Sequence, residues 1–136
     1  MKFDTKIAVV LREDLATWQK LNVTAFTISG IAGTVEGIVG ENYEDASGNV
    51  YLPMIIQPIM IFAADAAQMR TVYERAMAQE ARFAIYTEEL FSTGHDEANR
   101  AAVKAVAAED LNLVGIALRA DKKAVDKILK GLSLHK

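Results

Sequence analysis

Five apolar residues in unbroken succession, Ile7-Ala8-Val9-Val10-Leu11, stand between Lys6 and the charged triplet Arg12-Glu13-Asp14. The run is short, and no polar residue alternates along it to leave one side for water. It predicts a strand covered on both faces. Such a strand needs one layer of structure above it and another below. That requirement points to a layered α/β domain.

The remaining chain supplies the layers. From Trp18 to Val35 the period changes to that of a helix, with Leu21, Ala25, Ile28 and Ala32 recurring at three and four. Gly30, Gly33, Gly37 and Gly40 follow at spacings of three, four and three. A glycine in a helix interior costs about 1 kcal/mol relative to alanine. The reading is therefore that a neighbouring strand, helix or subunit approaches this backbone closely. Glu41 to Leu52 is polar, and Ser47-Gly48-Asn49 reads as a turn into a short extended piece. Pro58 opens a second strand, Ile59 to Phe62. Asp65 and Gln68 form a capping-box pattern before a helix with Met69, Val72, Tyr73, Ala76 and Met77 inward. Phe83 to Tyr86 is a third strand, and Thr93 or Asp96 starts a helix running to about Ala108. Leu111 to Leu118 is the fourth strand; Asp121 caps a last helix that Gly131 ends. Strand and helix alternate four times, which predicts one α/β domain over residues 1–136.

Composition removes whole classes of function. Of 136 residues, 51% are apolar and 24% charged, the balance of a folded domain. The absence of cysteine excludes disulfides, thiolate metal sites and a cysteine nucleophile. The longest apolar stretch, Met54 to Ala64, is interrupted by Gln57 and Pro58 and falls well short of the roughly 20 residues that a membrane span requires. The apolar run after Met1 to Lys6 is too short for a secretory signal. The expectation is a cytoplasmic protein that does not engage a membrane. The formal charge of −3 gives no overall attraction to nucleic acid. The last eighteen residues are locally basic, with Lys122, Lys123, Lys127, Lys130 and Lys136. They read as a solvated helix face favoured by the dipole, rather than as a phosphate-contacting surface.

Few residues carry obvious chemistry. With only His95 and His135 and no cysteine, no metal site is expected and no cofactor is implied. The Gly-x-Ser-x-Gly elbow is absent around Ser29, and Gly30-Ile31-Ala32-Gly33 lies in a helical pattern without a following lysine, unlike a phosphate loop. Polar residues gather instead after two strands: Arg12, Asp14, Thr17, Lys20 and Asn22 after the first, and Thr87, Glu88, Ser92, Thr93 and His95 after the third. Open α/β sheets bind ligands beyond the carboxyl ends of their strands. If both corners share one rim, they line one cleft. Lys20 sits unusually for a lysine, near a helix start. Thr87 and Thr93 also suit turns and caps. His95 suits a general base oriented by Asp96 or Glu88, or a surface loop histidine. Trp18 reads as a lid on the core.

Lys6-Ile7-Ala8-Val9-Val10-Leu11-Arg12-Glu13-Asp14-Leu15 resembles the opening strand and turn of peptidyl-tRNA hydrolase II. Lys20 to Gly33 resembles its first helix, and Asp121 to Leu134 its closing helix and tail. A closer resemblance is to an uncharacterised, mostly bacterial family grouped with that hydrolase by fold. It is carried by Leu21-Asn22-Val23-Thr24-Ala25 with Ser29-Gly30-Ile31, and by Gly115-Ile116-Ala117-Leu118 before Lys123-Ala124-Val125. The resemblance implies a three-layer α/β/α sandwich with a four-stranded mixed sheet, often a homodimer. It matches Lys20 to a lysine of the hydrolase and Thr93 to its threonine. Asn22, Phe26 and Ser29 stand where the hydrolase has a lysine, a glutamine and a histidine.

Three functions follow. The first is binding of a small polar ligand in the strand-end cleft, with Arg12, Asn22, Thr87 and Glu88 lining it. The second is a dimeric interaction module built on the glycine-marked helix. The third is hydrolysis of peptidyl-tRNA or a related ester or amide, with Lys20, Thr93 and His95 catalytic. The resemblance admits tRNA as a partner, whereas the acidic balance disfavours it.

Overall fold

The computed structural model describes residues 2–136. Its elements are β1 (Thr5–Arg12), α1 (Thr17–Thr34), β2 (Tyr43–Glu44), β3 (Val50–Tyr51), β4 (Ile59–Ala64), α2 (Ala66–Ala78), β5 (Arg82–Thr87), α3 (Asp96–Lys104), β6 (Leu113–Asp121), α4 (Lys122–Ile128) and β7 (Ser133–Leu134). The main sheet has the order β5-β6-β1-β4-β7. β1 pairs parallel with β4 and antiparallel with β6, while β5 and β7 run antiparallel to β6 and β4.

β1 is the central strand, and Ile7 to Leu11 are almost wholly removed from water. Its side chains alternate between two cores. Ala8 and Val10 join Met69, Val72 and Ala76 of α2 and Val125 and Ile128 of α4. Ile7, Val9 and Leu11 join Val23 and Ile31 of α1 with Ile38 beyond it. One helix therefore covers one face, and two helices cover the other.

The expected four-stranded sheet has a fifth strand. β7 contributes only two residues, Ser133 and Leu134, opposite Ala63 and Phe62 of β4. A piece this short carries no periodicity; the open edge of β4 recruits it by backbone pairing. A separate β2–β3 hairpin forms around the expected Ser47-Gly48-Asn49 turn, with Gly48 at φ +84°. Asp45 organises that turn by accepting from the Asn49 side chain, the Tyr51 hydroxyl, and the backbone N–H groups of Ser47 and Asn49. These bonds, the Asn49 side chain first, hold its carboxyl down at about 2.

Other boundaries moved for physical reasons. The fourth expected strand starts later and runs on to Asp121, because β1 supplies a partner as far as Thr5. α3 stops at Lys104 rather than near Ala108, and a short 3-10 turn follows at Ala108–Asp110. The Asp65–Gln68 box is formed in both directions, at 2.7 and 2.9 Å, and the Asp121 carboxylate accepts from the Ala124 N–H.

Close approach of α1 to the sheet occurs at a glycine of the strand rather than throughout the glycines of the helix. A Cβ built on Gly115 would lie 2.2 Å from Cγ1 of Val23, whereas one on Gly33 meets nothing within 4 Å. The Val23–Gly115 contact sets the height of α1 over β6. Gly115→Ala is therefore expected to lower stability by about 1–3 kcal/mol through overpacking. In denaturant titrations its cost and that of Val23→Ala should fail to add, since the smaller side chain removes the clash; strict additivity would contradict the contact.

Candidate functional site

The two polar corners do share a rim. β5 is antiparallel to β6, which is antiparallel to β1, so the carboxyl ends of β1, β4 and β5 all lie at one end of the sheet. β1 and β4 are adjacent and parallel, yet the chain leaves β1 for α1 on one face and β4 for α2 on the other. That is the arrangement at which open α/β sheets form a crevice beyond the strand ends. The Glu13 N–H donates to the Ala64 carbonyl at 2.9 Å, stitching the two corners together.

One polar station occupies this rim, and a second lies below it, between the first turn of α1 and the β7 edge beside Ile61, three residues back from the end of β4. The first joins Arg12 and Glu88, as the two-corner expectation requires. Arg12 donates from Nε to Asp14 at 2.6 Å and from Nη1 to the Asn112 side-chain oxygen at 2.9 Å; its Nη2 stands 3.6 Å from Glu88. Asn112 in turn donates to Glu88 at 2.6 Å. Four side chains thus satisfy one another, and the group ties together the ends of β1, β5 and β6. Asn112 had no mark in the sequence, because it fell inside the expected fourth strand, Leu111 to Leu118, whereas β6 starts only at Leu113.

The second station is Lys20 with His135. Lys20 Nζ lies 3.1 Å from His135 Nε2 in a half-buried position. Lys20 stands in the first turn of α1, and the His135 N–H donates to the Ile61 carbonyl beside β7 at 2.8 Å. An ammonium can only donate, so Nε2 is the acceptor and Nδ1 carries the proton, which it gives to the Lys136 main-chain oxygen at 2.8 Å. Lys20 forms no ion pair among the described residues. Two of its three N–H groups remain available to a ligand. Only the β7 pairing, invisible to periodicity, brings His135 here.

The other expected site residues lie elsewhere. Thr93 is engaged with the Leu90 carbonyl at 3.0 Å and with the Asn99 side chain. His95 is the N-cap of α3, where Nδ1 accepts from the Ala98 N–H at 3.1 Å, and it makes no bond to Asp96 or Glu88. Asp96 pairs with Arg100 instead. Thr87 is 2% exposed, at the bulge that ends β5. Asn22 is exposed on α1. Lys20, Thr93 and His95 therefore have no shared partner. Trp18 is not a buried lid: it is 60% exposed and stands edge-on to Phe91, which in turn packs at a tilt against Tyr86. Burial raises the pKa of the Tyr86 phenol. Among the described residues, no group of three or more His, Asp or Glu side chains is placed to hold a metal ion, and no helix is long and apolar enough to cross a membrane.

The chain belongs to a family described as a protein of unknown function (DUF2000), whose model matches residues 5–136. Its fold is that of a solved structure from Agrobacterium, itself described as a protein of unknown function. The two chains are 51% identical and superpose with a TM-score of 0.97, over 99% of this chain and 100% of that one. No curated protein matches the chain. Neither matching description names a hydrolase.

Because His95 serves α3 through one acceptor nitrogen, His95→Ala should cost about 1 kcal/mol, and His95→Asn should retain most of the stability. Thermal melts of the two variants check this; equal losses would remove the cap from the account.

Proposed function

We propose that this family member, on a peptidyl-tRNA hydrolase II-like fold, binds a small polar ligand at the strand-end rim, and that Lys20 is the group that takes it. The observation that carries the reading is the Lys20–His135 pair: a half-buried cation, held by a neutral imidazole, that forms no ion pair with an Asp or Glu among the described residues. Its open N–H groups suit a carboxylate or carbonyl oxygen. The Arg12–Asn112–Glu88 station supports the rim from the β5 and β6 side. Binding is favoured over hydrolysis of peptidyl-tRNA or a related ester or amide by the same geometry. A general base needs a free lone pair, and Lys20 occupies that of His135 while Ala98 occupies that of His95. The cytoplasm is the compartment that fits a cysteine-free chain of this kind.

A thermal-shift screen of small carboxylates and acyl compounds should find a stabiliser, since a ligand at about 100 times its Kd adds about 2.7 kcal/mol. Lys20→Ala should abolish the shift. Retention of binding by that variant would place the ligand elsewhere, and release of product from peptidyl-tRNA by the purified protein would replace binding with catalysis.

A homodimer through α1 is the second reading, and one feature favours it. Across the eighteen residues of α1, Lys20 is the single charge, and Trp18, Leu21 and Phe26 are each more than half exposed. A solvated helix face normally carries charge. The partner that fits this face is a second copy of the chain. Gly33 meets nothing within 4 Å, so Gly33→Leu leaves the subunit intact. Sedimentation should show wild-type dimers and Gly33→Leu monomers; wild-type monomers or an unchanged variant would exclude this face.

A further inference from the structure

A cavity of about 660 Å³ lies at the end of the sheet opposite the strand-end rim, between the last turn of α1 and the starts of β5 and α4. Arg82 and Arg119 are among the residues that line it. The two residues are direct cross-strand partners of β5 and β6. Like charges placed opposite each other in a sheet repel, and neither arginine has a carboxylate within 4 Å to offset this among the described residues.

Arg119 is held in place. Its Nε donates to Gln57 Oε1 at 3.2 Å, and Gln57 is 6% exposed and fixed in turn by its Nε2 donating to the Thr5 carbonyl at 3.0 Å. Among the described residues, the Nη1 and Nη2 groups of Arg119 are left without a partner, as is the whole Arg82 guanidinium. Gly30, Ala81 and Ala84 form part of the wall, so small residues leave room beside the charges. Two acidic residues share the lining. Asp121 is committed to capping α4, and Glu80 pairs with neither arginine. A second cavity, lined by Lys122, Lys123 and Lys127 along with Asp4, shares Gln79, Asp121 and Ala124 with the first and extends the cationic surface.

We propose that the cavity holding Arg82 and Arg119 is a binding site for a small phosphate monoester, distinct from the strand-end rim. One held and one free positive charge, side by side on β6 and β5, match a dianionic phosphate head, and planar guanidinium groups present paired donors to its oxygens. The organic part of the ligand occupies the space beside Gly30 and Ala84. No bond is made or broken at this site.

The test is titration of the purified chain with phenyl phosphate at constant ionic strength, followed through the arginine Nε–H signals in ¹H–¹⁵N spectra. Benzoate and sodium chloride serve as comparison arms. The expected result is a saturable shift of the Arg82 and Arg119 signals by phenyl phosphate at concentrations below about 10 mM. Arg82→Gln and Arg119→Gln should each weaken binding about tenfold or more, while Lys20→Ala leaves it unchanged. Arg82 is exposed and unbonded, so its replacement keeps the fold even if loss of the Arg119–Gln57 contact does not. Undiminished binding by Arg82→Gln, tighter binding of benzoate, or shifts reproduced by chloride would each overturn the assignment.

Discussion

The parallel pairing of β1 with β4 is the constraint on which the rest of this molecule depends. Six residue pairs, from Ile7–Ile59 to Arg12–Ala64, align the two strands so that their carboxyl ends finish level. A parallel pair cannot be closed by a tight turn; it needs a long crossover. Here the crossover is α1 with the β2–β3 excursion, and it covers one face. The chain then leaves β4 into α2 on the other face. β1 is thereby buried on both sides, and the divergence of the two helices leaves polar corners exposed at the strand ends.

Those corners differ in what they can still do. Around Arg12, Nε and Nη1 meet acceptors of the protein itself and Nη2 stands near a carboxylate, so the group acts as a clamp across β1, β5 and β6. Of its four side chains only Arg12 is largely buried, so the cost of breaking the group falls on that guanidinium, and the exposed partners contribute as surface groups do. Lys20 is the opposite case. It has one neutral partner and spare donors. At the far end of the sheet, Arg82 and Arg119 repeat that condition in a roomier setting. In both places a cation lacks, among the described residues, the counter-charge that a purely structural role would supply.

Much of the fold was legible because it is written in short-range patterns. The unbroken Ile7–Leu11 run announced a doubly covered strand, and Asp65 with Gln68 announced a helix start that forms as read. The shared rim stood only as a condition, since it depends on the pairing of β5 with β6 and of β6 with β1. What escaped was long-range. β7 has two residues and exists because β4 offers an open edge, so neither the fifth strand nor the pairing of His135 with Lys20 had a local signal. Thr93 and His95 looked like chemistry because hydroxyl and imidazole groups serve caps and active sites alike; only the Asn99 and Ala98 contacts distinguish the two. Arg82 and Arg119 drew no notice because cross-strand register cannot be read from a single strand. The glycines of α1 suggested contact along the helix, yet Gly115 on the strand is where helix and sheet meet most tightly.

The central claim is that Lys20 is fixed by a neutral His135 and keeps donors free for a ligand. Long-range ¹H–¹⁵N correlation spectra of the neutral His135 ring test it most directly. The account predicts the proton on Nδ1, with the Nε2 resonance moving when Lys20 is replaced by methionine. A proton on Nε2, or an Nε2 signal indifferent to that replacement, would contradict it.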